Sequence, residues 1–235
     1  MTDSTAALRV RLAARAMVRH GLAHAYGHVS QRLTADSFLV SPAGPLGSVA
    51  EGDECVRVSL DGPLPTGALP EVRIHREIYR NRPDIGGVCR MQPPATMALS
   101  ALRRTPRALH GLGTYFAPAP PLWESVALVR DDQSAVKLAS QMGDAAAIVL
   151  PGNGAVTAGA SIEDAAALAF FLEDAARVEL AVLPATAVGI AVHEYTPEEA
   201  TTRAVRAGGL FERMWEFLCH GDPEWQAYNQ IGDRD

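Results

Sequence analysis

The chain has 235 residues, 48% of them hydrophobic and 20% charged, enough for one large domain over residues 1–235 with a core of its own. A net charge of -6 and the lack of any Lys/Arg run exclude nucleic-acid binding through a basic face and leave small molecules or protein as partners. Three cysteines without CxxC spacing exclude a disulfide framework, and no apolar run reaches the roughly 18 residues of a membrane helix.

The first residues lack the basic-then-apolar order of a secretion signal, so a cytoplasmic setting is expected. Residues 4–20 place Ala6, Val10, Ala13, Ala14 and Met17 at helical spacing with Arg11, Arg15 and Arg19 opposite, and Gly21 stops the helix. Two strands follow, within Ala25–Leu33 and Ser37–Pro45, with a turn at Ala35-Asp36, and a third spans Glu54–Leu60. Further on, Ser125–Val129 reads as a strand, Ser134–Met142 as a helix, and 146–151 as a buried strand that continues as Ala155–Thr157 beyond a Gly-Asn-Gly turn. Ser161 opens a long alanine-rich helix to about Leu183. Thr196-Pro197-Glu198-Glu199 is a capping box, predicting one helix to about Leu218 that presents Leu210, Met214, Trp215 and Phe217, and a tail with Trp225 and Tyr228.

The informative stretch is Ala68–Ser100. Glu71 opens a helix carrying His75 and Tyr79, Arg82-Pro83-Asp84 follows, a strand runs over about Gly86–Gln92, and Pro93-Pro94 leads to Ala95-Thr96 and a second helix. Alternation puts Cys89 and Met91 on one face of the strand and Arg90 on the other. This order resembles the class II aldolase/adducin family, from about Leu8 to about Leu183. The resemblance implies a three-layer α/β/α sandwich around a mixed, largely antiparallel sheet, and a homo-oligomer, most often a tetramer, with pockets between subunits.

The family's two strand histidines are set on Cys89 and Met91, and its third on Asn153 of Gly152-Asn153-Gly154, so all three metal-binding histidines are replaced. A thiol, a thioether and an amide match no common catalytic ion, so no metal cofactor is expected; the alternative is a zinc or manganese site rebuilt around Glu71 with His28, His75 or His110. The resemblance makes Gly27-His28-Val29-Ser30 and Ser41-Pro42-Ala43-Gly44 pocket loops, and Glu71 the general acid/base. Where sugar-phosphate members carry an Asn, a second Ser and a Ser-Ser pair, this chain has His28, Ala43 and Leu69-Pro70, which argues against a phosphorylated substrate. The Gly-His-Val-Ser form looks like the branch holding adducins and decarboxylases of hydroxylated aromatic acids.

Glu71 and His28 are thus the expected catalytic pair. Ser30, Ser41, Gly44, Cys89, Met91, His110, Tyr115 and Asn153 are the expected substrate contacts. A metal-independent lyase and a catalytically silent, adducin-like binding or assembly protein both fit these residues. Retained Glu71 and His28 favour the first, and loss of the three histidines favours the second.

Overall fold

In the computed structural model, which describes residues 2–232, six strands form one sheet in the order β3-β2-β1-β4-β6-β5. They are β1 (His28–Thr34), β2 (Ser37–Val40), β3 (Val56–Ser59), β4 (Gly87–Met91), β5 (Ala147–Leu150) and β6 (Gly154–Gly159). Each neighbouring pair is antiparallel. The sheet is therefore less mixed than expected: among the described residues the parallel contact is the isolated bridge between Leu122 and Val149.

Two helical layers cover it. On one face lie α1 (Asp3–Arg19) and α5 (Ile162–Ala187), with α7 (Leu210–Cys219) against them. Their core takes Leu12, Met17, Phe171 and Trp215 from the helices and Val29, Cys89, Met91 and Val149 from the sheet. On the other face α2 (Arg73–Asn81) and α4 (Asp132–Met142) supply Ile74, Ile78, Tyr79 and Leu138, which meet Phe38, Val88, Ile148 and Val156. The sheet separates two cores, and the parity of a strand residue decides which core it enters.

Helix α3 (Pro94–Ala101) follows β4 without a loop because Pro93 ends the strand and Pro94 starts the helix. The Glu173 carboxylate of α5 accepts bonds from the backbone N–H groups of Ala95 and Thr96, both at 2.9 Å, and so caps α3.

Three expectations are corrected. Ser125–Val129 is not a strand: after Trp123 donates its N–H to the carbonyl of Val149 the chain leaves the sheet edge, and Val126 is 77% exposed. The single helix to Leu218 is two, α6 (Pro197–Arg203) and α7, parted by Gly208 and Gly209 at φ of 76° and 63°. The tail forms a further helix, α8 (Trp225–Gly232).

Candidate functional site

Cross-strand pairing builds the site. β1 and β4 set His28 directly opposite Arg90 and Ser30 opposite Val88. These residues share the face covered by α2, whereas Val29, Cys89 and Met91 enter the other core. Gly27 makes the entry to β1 close: at its φ of 140°, a Cβ would meet the Arg90 carbonyl oxygen at 2.8 Å.

A buried hydrogen-bond chain runs from α2 to His28. Tyr79 and Ser30 share a bond of 2.8 Å between their hydroxyls, the Ser30 hydroxyl lies 2.6 Å from His75 Nδ1, and His75 Nε2 lies 2.7 Å from His28 Nδ1. The Arg32 guanidinium covers the Tyr79 ring at 4.7 Å and closes the far end. At the near end His28 Nε2 is buried and has no partner. Burial, reinforced by the charge of Arg90, lowers the His75 pKa to about 3. Burial also drives His28 well below its ordinary value, with His75 and Arg90 adding to the effect. With both rings neutral, the chain is satisfied in two proton orders, one leaving His28 Nε2 a lone pair and the other an N–H.

Arg90 is only 2% exposed. Its Nη1 donates to the Met91 carbonyl at 2.8 Å, its Nε has no partner, and among the described residues no carboxylate forms a salt bridge with it. Burial lowers its pKa, and the nearby Glu71 carboxylate opposes that. Glu71 sits in the 3-10 turn Pro70–Val72 that leads into α2. Just past β4, Gln92 Nε2 donates to Asn153 Oδ1 at 3.1 Å. Gly154 makes that approach feasible, since a Cβ there would lie 2.0 Å from the Met91 carbonyl oxygen. Glu71, Asn153, Val126 and Trp123 line a cavity of about 10 Å³, room for about one water. The Trp123 Nε1–H is buried without an acceptor.

The expected residues divide by side. His28 and Ser30 lie on the α2 side of the sheet, and Glu71, in the turn that leads into α2, lines a small cavity together with Asn153. Cys89 and Met91 pack in the α1/α5 core, and burial pushes the Cys89 thiol far above its usual range, so it is inert. Tyr115 stacks on Phe171 of α5 and donates to the Val205 carbonyl, and half-buried His110 lies near Asp174 and Arg203. Both belong to the layer across the sheet. Ser41 accepts from the Val29 N–H, and Gly44 is exposed on the following loop.

Arg90, Gln92 and Trp123 were not anticipated as site residues. Arg90 and Gln92 are the i, i+2 pair immediately before Pro93, so counting back from that proline finds them, whereas Cys89 and Met91 stand one residue off.

The donor set does not fit a divalent ion. A guanidinium has donors only and repels a cation, the Asn153 amide oxygen is taken by Gln92 Nε2, and among the described residues Glu71 is the carboxylate that lines the cavity with Asn153. No group of three or more His, Cys, Asp and Glu side chains among the described residues is placed to hold a metal.

The model of the class II aldolase and adducin N-terminal domain matches residues 9–180. A 3,4-dihydroxyphthalate decarboxylase from Arthrobacter keyseri is 30% identical over 228 residues, 90% of each chain. One from Rhodococcus jostii is 26% identical over 180 residues, 68% of this chain and 72% of that protein. Among solved structures, an aldolase II superfamily protein from Pseudomonas syringae superposes with a TM-score of 0.75 at 23% identity, covering 96% of this chain and 92% of that one. The l-fuculose-1-phosphate aldolase of Thermus thermophilus superposes at 0.69 with 24% identity, covering 80% and 100%. By sequence over most of its length and by fold, this chain belongs to the class II aldolase and adducin family.

Proposed function

We propose that this protein is a carbon-carbon lyase that removes CO2 from a small, unphosphorylated, hydroxylated aromatic acid. The observation that carries the reading is the buried cation Arg90, with the unpartnered His28 Nε2 across the strand pair from it and the Glu71 carboxylate acting on its charge, in a chain 30% identical to a 3,4-dihydroxyphthalate decarboxylase. In an acid of that kind a ring hydroxyl stands next to a carboxylate. Glu71 takes the hydroxyl proton while His28 Nε2, its ring held by the His75–Ser30–Tyr79 chain, orients the same oxygen.

The oxygen's electron pair then raises electron density on the neighbouring ring carbon, which takes the proton back from Glu71. The bond from that carbon to the carboxylate breaks, its electron pair restores the aromatic ring, and CO2 leaves. The phenolate that remains is protonated from water. The ring is its own electron sink. Because the cavity at Glu71 holds about one water, the substrate enters by displacing the loop that carries Val126.

The test is CO2 release from 3,4-dihydroxyphthalate by wild type and Glu71→Gln. The variant is expected to lose roughly 10²–10⁴-fold in rate with an unchanged melting temperature. Equal rates in the two proteins would remove Glu71 from the chemistry. No release by wild type from this acid or its hydroxylated relatives would sink the lyase reading in favour of an adducin-like binding or assembly role.

A further inference from the structure

Among the described residues three arginines are buried, and two of them are paired with carboxylates. Arg11, 9% exposed, donates to Glu224, and Arg76, 2% exposed, donates to Asp132 and Glu77. Arg90 is buried as deeply as Arg76 and has a single backbone carbonyl as its partner. An ion taken out of water without a counter-ion is costly, and an arginine cannot shed its proton to escape the cost. Glu71 acts on the Arg90 charge only through space, so a buried guanidinium with an idle N–H and no hydrogen-bonded carboxylate leaves a place for a further anion to pair with it directly.

The surroundings specify that anion. On the same sheet face, directly across the strand pair, stands the unpartnered His28 Nε2. Trp123, which lines the cavity shared with Glu71, carries a buried, idle Nε1–H. Apolar Ile74, Val129 and Leu150 line the same small cavity and give a wall suited to the face of a ring, rather than to a hydrated phosphate, once the loop that carries Val126 is displaced.

We infer that Arg90 seats a carboxylate of an aromatic acid and holds it as the fixed positive charge of the site. The guanidinium fork matches the two oxygens of a carboxylate. The inference rests on the lyase reading for the identity of the ring, but binding tests it without turnover. In a decarboxylation the carboxylate that Arg90 seats is the one retained, since holding the departing group would stabilise the ground state more than the transition state.

Calorimetric titration with phthalate, an aromatic dicarboxylate without the hydroxyl the reaction needs, and with catechol, a ring without a carboxylate, tests the seat. Wild type is expected to bind phthalate and to bind catechol at least about tenfold more weakly. Arg90→Met is expected to lose phthalate binding while its melting temperature holds or rises, because a buried charge with no hydrogen-bonded carboxylate has been replaced by an apolar chain. If Arg90→Met does not fold, Arg90→Lys carries the test, with phthalate bound at least about tenfold more weakly than by wild type. Phthalate bound equally by wild type and the folded variant would overturn the seat, as would equal binding of phthalate and catechol. Phthalate binding that depends on Arg90 in a protein without turnover would refute the lyase reading and leave the seat standing. Turnover with a KM indifferent to Arg90 would do the reverse.

Discussion

At the scale of single residues, the site is defined by groups kept uncharged next to one that cannot be. His28 and His75 are buried and 2.7 Å apart, so protonating either would place a second cation beside Arg90. Their folded-state affinities lie below the ordinary value of 6.5, so as pH falls through 6.5 the unfolded chain gains protons that the folded chain refuses. Stability is therefore lost on acidification, down to about pH 3 for His75, at up to roughly 1.4 kcal/mol per pH unit for each histidine. His75→Gln keeps a donor and an acceptor between Ser30 and His28 and removes one such group. Between pH 7 and pH 5 the variant should lose about 2 kcal/mol less than wild type in urea unfolding. Parallel losses would mean that His75 is not held neutral.

At the scale of elements, the carboxyl-terminal segment is fixed to α1 by charge. Arg15 donates to Asp222 at 2.8 and 2.7 Å and to Glu224 at 2.7 Å, Arg19 donates to Asp222 at 2.8 Å, and Arg11 donates to Glu224. Burial alone would raise the Asp222 pKa, but the bonds from Arg15 and Arg19 outweigh it and hold the group below the usual range. Asp222→Asn leaves two arginines facing an amide. It should cost about 2–4 kcal/mol and expose the segment after Cys219 to protease before the rest unfolds. Global unfolding without an earlier cut there would contradict this docking. The sequence placed these arginines on one side of the first helix, but their partners lie about 200 residues away and nothing local names them.

The same limit separates what was legible from what was not. The Thr196 capping box has both of its bonds, because it is a four-residue contact encoded where it forms. The helix beyond it ends at Arg203 and α7 begins only after Gly208-Gly209, a break that the apolar spacing of Leu210, Met214 and Phe217 masked. Glu71, His28 and the order of strands could be read from the resemblance. Which face of β4 looks toward Glu71 could not, because alternation says only that Cys89 and Met91 share a face, and a one-residue slip exchanges the two faces. The bonds among His28, Ser30, His75 and Tyr79 join residues 45 to 49 apart, a proximity that only the packed sheet and α2 create.

At the scale of the whole molecule, the sheet divides two cores and leaves one charged site at the end of β1 and β4, on the α2 side. Arg90 and the Gln92–Asn153 amide pair stand there with Glu71. The central claim is that this set works through a fixed cation and a carboxylate acid/base, without a divalent ion. The direct measurement is CO2 release from 3,4-dihydroxyphthalate by protein dialysed against chelator, with zinc and manganese quantified on the same sample by elemental mass spectrometry. We predict that the rate persists at far less than one metal per chain and is unchanged when either ion is restored. A protein that is inactive after chelation and regains its rate with one equivalent of zinc or manganese would contradict the account.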